Sequence, residues 1–190
     1  MSKLTGKRVA ILATNGFEES ELLEPKKALE SEGAKTTVVS LKTGSIQGMK
    51  HDQKGKTVDV DLTLESANAG DFDALVLPGG VANPDALRMN EKAVELVAAF
   101  VRANKPIAAI CHGPWTLIET GVVKGKTMTS WPSLKTDLTN AGAKWIDKEV
   151  VTDGNVVTSR KPDDIPAFVK ALMDLLVKGA KRETSSHAQA

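Results

Sequence analysis

The sequence predicts an α/β fold: a three-layer sandwich with a mostly parallel central sheet and small edge hairpins. Three observations carry this. Short apolar runs recur at 8–13, 73–77 and 106–111, as in strands buried on both faces. Between them lie stretches whose apolar residues recur at helical spacing. Strand and helix alternate from end to end, the order that builds a parallel sheet through crossover connections. The 190 residues suit one domain. We expect it over 1–178, with 179–190 as a flexible polar tail.

The elements follow in order. Residues 8–13 form the first strand, closed by Asn15-Gly16. Residues 20–32 are a helix with Leu22, Leu23, Ala28 and Leu29 on its apolar side and Gly33 as its stop. The second strand is 35–41, centred on Val38 and Val39. Residues 44–62 are polar and glycine-rich, with short alternations, and read as a small hairpin at the sheet edge. Strand 73–77 ends at Pro78-Gly79-Gly80, and a short helical turn follows at 85–88. Residues 91–104 are an amphipathic helix carrying Ala93, Leu96, Val97, Phe100 and Val101 on one face. Strand 106–111 runs directly into Gly113-Pro114, and proline suits the first turn of the next helix. A short strand at 126–130 and a short helix at 134–141 come next. Val150-Val151 and Val156-Val157 flank the tight turn Asp153-Gly154-Asn155, which makes a hairpin. Pro162-Asp163-Asp164 caps a last helix with Ile165, Phe168, Val169, Leu172, Leu175 and Leu176 facing inward.

Composition excludes several functions. Lysine plus arginine is 25 and aspartate plus glutamate is 24. This near-neutral balance gives no reason for nucleic acid or an anionic membrane as partner. The longest apolar run is six residues, 96–101, far short of the ~20 that a membrane span needs. With Cys111 as the single cysteine, no intrachain disulfide can form, and a reducing, cytoplasmic setting is expected. His51, His112 and His187 show no paired metal-ligand spacing, so no metal is expected. Gly55-Lys56-Thr57 and Gly125-Lys126-Thr127 lack the leading glycine of a phosphate loop, since Lys50 and Thr120 stand there. No dinucleotide fingerprint follows the first strand. No cofactor is expected.

Ligand sites in such folds gather outside the carboxyl ends of the strands, here the loops 14–21, 78–85 and 111–114. Cys111 sits where a buried strand turns into a helix, with small Ala109 and Gly113 two residues to either side. A nucleophile elbow requires small neighbours there. The nearby helix N-terminus is expected to lower the thiol pKa. The alternative is a small buried hydrophobe. At a sharp elbow His112 can reach the thiol and move its proton; otherwise it caps the helix or faces solvent. Glu18 and Glu21 are three apart and can share one face of the entering helix turn. Acids are ordinary there, yet a carboxyl in this loop can also share a proton with the sulfur. The Gly80 and His112 amides can form an oxyanion hole, or the double glycine is only a turn.

The segments 17–22 (FEESEL), 74–80 (ALVLPGG), 88–94 (RMNEKAV) and 109–114 (AICHGP) together resemble the PfpI-type intracellular protease family. It lies within the ThiJ/PfpI superfamily, which includes the parkinsonism-associated deglycase. The resemblance runs from about Lys7 to Val177. It implies a flavodoxin-like sandwich working as a homo-oligomer, dimer or hexamer. It implies Cys111 as nucleophile and Glu21 as the carboxyl nearest the sulfur, with Glu18 also a motif position. It implies an acid partner for His112 from a neighbouring subunit, a glutamate in the family. Here Asp85 holds that place, one methylene shorter, in a loop with an extra residue. Trp131 stands where the deglycase branch carries a histidine, which places this chain with PfpI. Trp131 and Gly79 are expected to line the substrate pocket. The implied chemistry is thiolate attack on carbonyls, with glycated adducts, 2-oxoaldehydes or peptides as substrates. The competing reading is a non-enzymatic redox sensor that needs Cys111 and Glu21 but not His112 or Asp85. A glutamine amidotransferase is set aside, because the late histidine, His187, lacks the required His-x-Glu pair.

Overall fold

The computed structural model describes residues 2–187, with side chains through residue 179. In chain order the elements are β1 (Arg8–Leu12), β2 (Phe17–Glu18), α1 (Glu19–Ser31), β3 (Lys35–Ser40), β4 (Ser45–Lys50), β5 (Gln53–Asp59) and β6 (Leu62–Thr63). There follow β7 (Ala74–Leu77), α2 (Ala82–Arg88), α3 (Glu91–Arg102), β8 (Ile107–Ile110), α4 (Pro114–Ile118) and β9 (Thr127–Met128). The chain closes with α5 (Lys135–Asn140), β10 (Lys144–Trp145), β11 (Val150–Asp153), β12 (Val156–Ser159) and α6 (Ile165–His187).

Seven strands form the main sheet in the order β11-β12-β8-β7-β1-β3-β6. All pair in parallel except β11, which returns antiparallel on β12 through the Asp153-Gly154-Asn155 turn. Strand pleat divides the core into two layers, because successive side chains point to opposite faces. Ala10 and Leu12 of β1 and Leu75 and Leu77 of β7 face a layer built with Leu87, Phe100 and Leu117 from α2, α3 and α4. Val9 and Ile11, with Ala74 and Val76, face the other layer, with Leu22 and Leu29 from α1 and Phe168 and Leu172 from α6. This is the three-layer α/β sandwich with a mainly parallel sheet that the alternation of elements demanded.

Two features differ from the sequence reading. The 44–62 hairpin does not extend the main sheet edge, which β6 occupies by pairing with β3. Instead β4 pairs in parallel with the two-residue β2, and β5 pairs antiparallel with β4, in a separate three-stranded sheet. The reason is local packing. A side chain at Gly48 would put a Cβ 2.9 Å from the Phe17 ring, so only glycine lets the hairpin lie on β2. The second difference is at the end of the chain. Helical backbone continues past Gly179 to His187, because Ala180, Lys181, Arg182 and Glu183 are good helix formers. Gly179 is therefore not an element boundary, and residues 188–190 of the expected tail lie outside the described residues. Among the described residues no helix is long and apolar enough to cross a membrane.

Candidate active site

The strand order reverses at β1, with β3 on one side and β7 on the other. A crevice opens at such a point because the connections leave in opposite directions. The loops after β1, β7 and β8 meet there. Asn83, fully buried at the start of α2, ties two of them together. Its Oδ1 accepts the Thr14 amide (2.8 Å), and its Nδ2 donates to the carbonyls of Pro78 and Gly79 (both 3.0 Å).

Cys111 stands at the head of β8 with φ +61°. Left-handed backbone costs a non-glycine residue about 1–2 kcal/mol. Such strain persists only where the surroundings over-determine it, as at functional sites. Three constraints do so here. The Cys111 amide donates to Ser159 O (3.0 Å), its carbonyl accepts from Trp131 (3.0 Å), and the Gly113 amide closes the turn on Ile110 O (2.8 Å). A Cβ on Gly113 would fall 2.4 Å from Leu77 O, so the elbow needs glycine there. Cys111 is 7% exposed.

The elbow turns His112 back toward the sulfur, with Nδ1 3.2 Å from Cys111 Sγ. Nε2 faces Ser133 Oγ at 3.4 Å. The ring lies between Trp115 and Trp131, at centroid distances of 5.3 and 6.1 Å. This burial pushes the His112 pKa down, so at neutral pH the ring is uncharged. A base needs that state in order to accept the thiol proton through Nδ1. The tautomer that does so carries its own proton on Nε2, toward Ser133.

Glu21, fully buried in the first turn of α1, approaches the sulfur from the other side. Its Oε2 accepts the Gly79 amide (2.8 Å). Its Oε1 is buried without a well-formed hydrogen bond, while the carboxyl interacts with the Cys111 sulfur. Burial raises the Glu21 pKa to about 8, reinforced by the charge of Glu18 and opposed by the Gly79 bond. At neutral pH Glu21 is therefore a protonated acid, able to donate. The Cys111 thiol is also pushed up, first by burial and then by the Glu21 carboxylate, while the Gly80 and His112 amides on the sulfur pull it down. The simple expectation of a thiol acidified by a helix N-terminus is thus corrected. Desolvation outweighs the amides. Once Glu21 holds its proton, however, its charge no longer opposes the thiolate.

The remaining expected residues fall as follows. Glu18 lines the cavity, and its Oε2 accepts the His51 amide (3.0 Å). Gly80 and Val81 form the cavity wall, and Trp131, 40% exposed, stands at its mouth. Gly79 lies behind this wall as the donor to Glu21. A Cβ there would sit 2.5 Å from Glu21 Oε2 and 2.6 Å from Cys111 Cβ. Asp85 is exposed on α2 and does not meet His112 within the chain. The sequence reading does not single out Asn83, Ser133 and His51 as site residues, nor Val81 and Pro162 of the cavity lining. For His51 the available signal was its place at the hairpin turn, where φ is +57°.

The resulting cavity is about 160 Å³. A nucleophile on a strained elbow, an uncharged imidazole 3.2 Å from it, a protonated carboxyl and two converging amides make a cysteine site suited to attack on a small electrophilic carbon.

Comparisons with known proteins place the chain in a family. A deglycase of Pyrococcus abyssi is 49% identical over 169 residues, covering 89% of this chain and 99% of that protein. General stress protein 18 of Bacillus subtilis is 42% identical over 91% of this chain and 99% of its own length. The crystal structure of Drosophila melanogaster DJ-1beta superposes with a TM-score of 0.80 at 32% identity, covering 97% of this chain and 98% of that one. The DJ-1/PfpI family profile matches residues 7–175, and the chain belongs to that family.

Proposed function

We propose that this protein is a cysteine hydrolase acting on carbonyl adducts, a deglycase of PfpI type. The observation that carries the reading is Cys111 on its left-handed elbow, with His112 Nδ1 3.2 Å from the sulfur and Glu21 beside it. In the forward step the thiol proton passes to His112 Nδ1, and Cys111 Sγ bonds to the carbinol carbon of the adduct as the bond from that carbon to the amine or thiol breaks. The Gly80 and His112 amides are the donors available to the carbinol oxygen, and Glu21 can hydrogen-bond to it. His112 gives its proton to the departing amine or thiol. Water then replaces Sγ on that carbon, so the hydrated oxoaldehyde leaves and the thiol is restored. Glycated amines and thiols are the proposed substrates, in line with the deglycase relative.

Asp85 is exposed one helix away from His112, which fits a role across a subunit interface in a homo-oligomer, where it orients the Nε2 side of a neighbour's His112. The near-complete burial of Cys111 favours the hydrolase over the redox sensor, because oxidation follows exposure. The deciding experiment is turnover of methylglyoxal adducts of N-acetylcysteine and N-acetyllysine by the wild type and Cys111→Ala. Turnover that vanishes in the variant is expected. An inert wild type, or a variant as active as the wild type, overturns the assignment.

A further inference from the structure

We propose that Trp115 is a positioning residue for the proton transfer: braced by Asp137 and Arg88, it holds the His112 imidazole with Nδ1 against the Cys111 sulfur. The inference rests on the hydrolase reading above and says what keeps the base of that site in place.

An imidazole turns about two torsions, and a general base works within hydrogen-bond reach of its proton. His112 has little polar support. Among the described residues no carboxylate of the chain bonds to the ring, and Nε2 meets Ser133 Oγ at a long 3.4 Å. A catalytic histidine is commonly oriented by an acid; within this chain, packing takes that place. Trp131 lies nearly parallel to the ring, at 23° and 6.1 Å between centroids. A parallel neighbour stops the imidazole from tipping but lets it slide in its own plane. Trp115 meets it at 65° and 5.3 Å, and a steeply inclined neighbour blocks that slide. Both separations lie in the range at which aromatic pairs attract.

The elbow brings Trp115 to this place. Its amide donates to the His112 carbonyl (3.0 Å), and residues three apart share one face of a helical turn. α4 has five residues, too few to fix so large a side chain, and Trp115 is half-buried. Neighbouring helices fix it. The indole Nε1 donates to Asp137 Oδ2 on α5 (2.8 Å). On α2 the guanidinium carbon of Arg88 lies 5.6 Å from the centre of the Trp115 ring, within cation–π range. Arg88 is held in turn by Glu119, four residues past Trp115: its Nε donates to Glu119 Oε1 (2.8 Å). Three helices thus converge on one indole, and that indole packs on the base.

A brace of this kind also ties α2, α4 and α5 together, whatever His112 does. Double substitution separates the two roles, because residues that act through one contact are not additive.

The test follows alkylation of Cys111 by iodoacetamide in the full chain, which needs no turnover. Sγ displaces iodide and forms the carbon–sulfur bond, while the thiol proton passes to His112 Nδ1 and on to solvent. A misplacement of about 1 Å can cost ~10²-fold, so Trp115→Ala should slow alkylation about ten- to a hundredfold. In a His112→Ala background the same substitution should cost less than about twofold. Trp115→Phe, which keeps a ring, should recover most of the rate. Asp137→Ala, at an exposed carboxylate, should lose about three- to fivefold with His112 present and less than about twofold without it. Between pH 6.5 and 7.5 the wild-type rate should stay nearly level, since an uncharged base takes the proton; Glu21 titrates above this window, at about 8. Trp115→Ala should instead climb nearly tenfold, as a thiol without a base does.

Equal losses with and without His112, no loss in either Trp115→Ala or Asp137→Ala, Trp115→Phe as slow as Trp115→Ala, or a level profile kept in Trp115→Ala overturns the proposal. Where Trp115→Ala does not fold, Asp137→Ala in the two backgrounds decides it. A loss coupled to His112 in a protein that turns over no adduct refutes the hydrolase reading and leaves the role of Trp115 standing. Turnover with an uncoupled loss does the reverse.

Discussion

Replacing Glu21 by glutamine should change how stability depends on pH, and the sign follows from the burial of that carboxyl. Its pKa is about 8 in the folded protein against 4.5 for the ordinary group. The native state therefore holds this proton more tightly than the unfolded chain does. The resulting stabilisation is complete below about 4.5 and is lost as pH climbs through about 8. At 1.36 kcal/mol per pKa unit, a shift of that size corresponds to as much as ~5 kcal/mol across the window. Glutamine keeps the shape, donates permanently and does not titrate. Urea denaturation of both proteins at pH 5, 7 and 9 compares the slopes, so a constant cost of burying the amide cancels. The wild type should lose ground to Glu21→Gln between pH 5 and 9, by several kcal/mol. Parallel curves would show that Glu21 titrates as an exposed acid and that its proton has no place in the site.

Three further outcomes follow from the geometry. Gly79→Ala forces a Cβ to within 2.6 Å of both Glu21 Oε2 and Cys111 Cβ; it should cost about 1–3 kcal/mol in urea midpoints and slow Cys111 alkylation. His112→Ala should lower turnover about 10²–10⁴-fold, whereas Ser133→Ala, which removes one long contact of 3.4 Å, should cost less than about tenfold and shift the pH–rate profile. Mixed oligomers of Cys111→Ala and Asp85→Ala subunits should regain activity that neither variant has alone; failure to complement removes Asp85 from the trans role.

The sheet was legible because its strands are apolar runs whose two-sided burial leaves few alternatives. Val9, Ile11, Val76 and Ile110 announce their positions by composition alone. The elbow was legible because Ala109, Gly113 and Pro114 are local requirements of one sharp turn. The hairpin's location was not, because nothing within 45–59 reveals that its partner is a two-residue strand at Phe17–Glu18. That pairing depends on a glycine seating against a distant ring. Nor was the thiol's environment legible. Proximity to a helix start is written in the chain, but the burial that outweighs it belongs to the assembled fold. Asn83 went unnoticed for the same reason, since its three bonds reach Thr14, Pro78 and Gly79 only once β1 and β7 are side by side.

The ties that set the site join distant parts of the chain: Gly79 and Glu21 are 58 residues apart, and Asn83 and Thr14 are 69 apart. Long-range closures of this kind form late in folding. On the ribosome the thiol emerges before the segments that carry Trp131 and Ser159, which bond to its elbow, have been made, and so it emerges unprotected. A nascent chain therefore passes through an interval in which Cys111 is an ordinary cysteine, open to any electrophile in its surroundings. Damage to this protein should consequently fall most heavily on newly made copies.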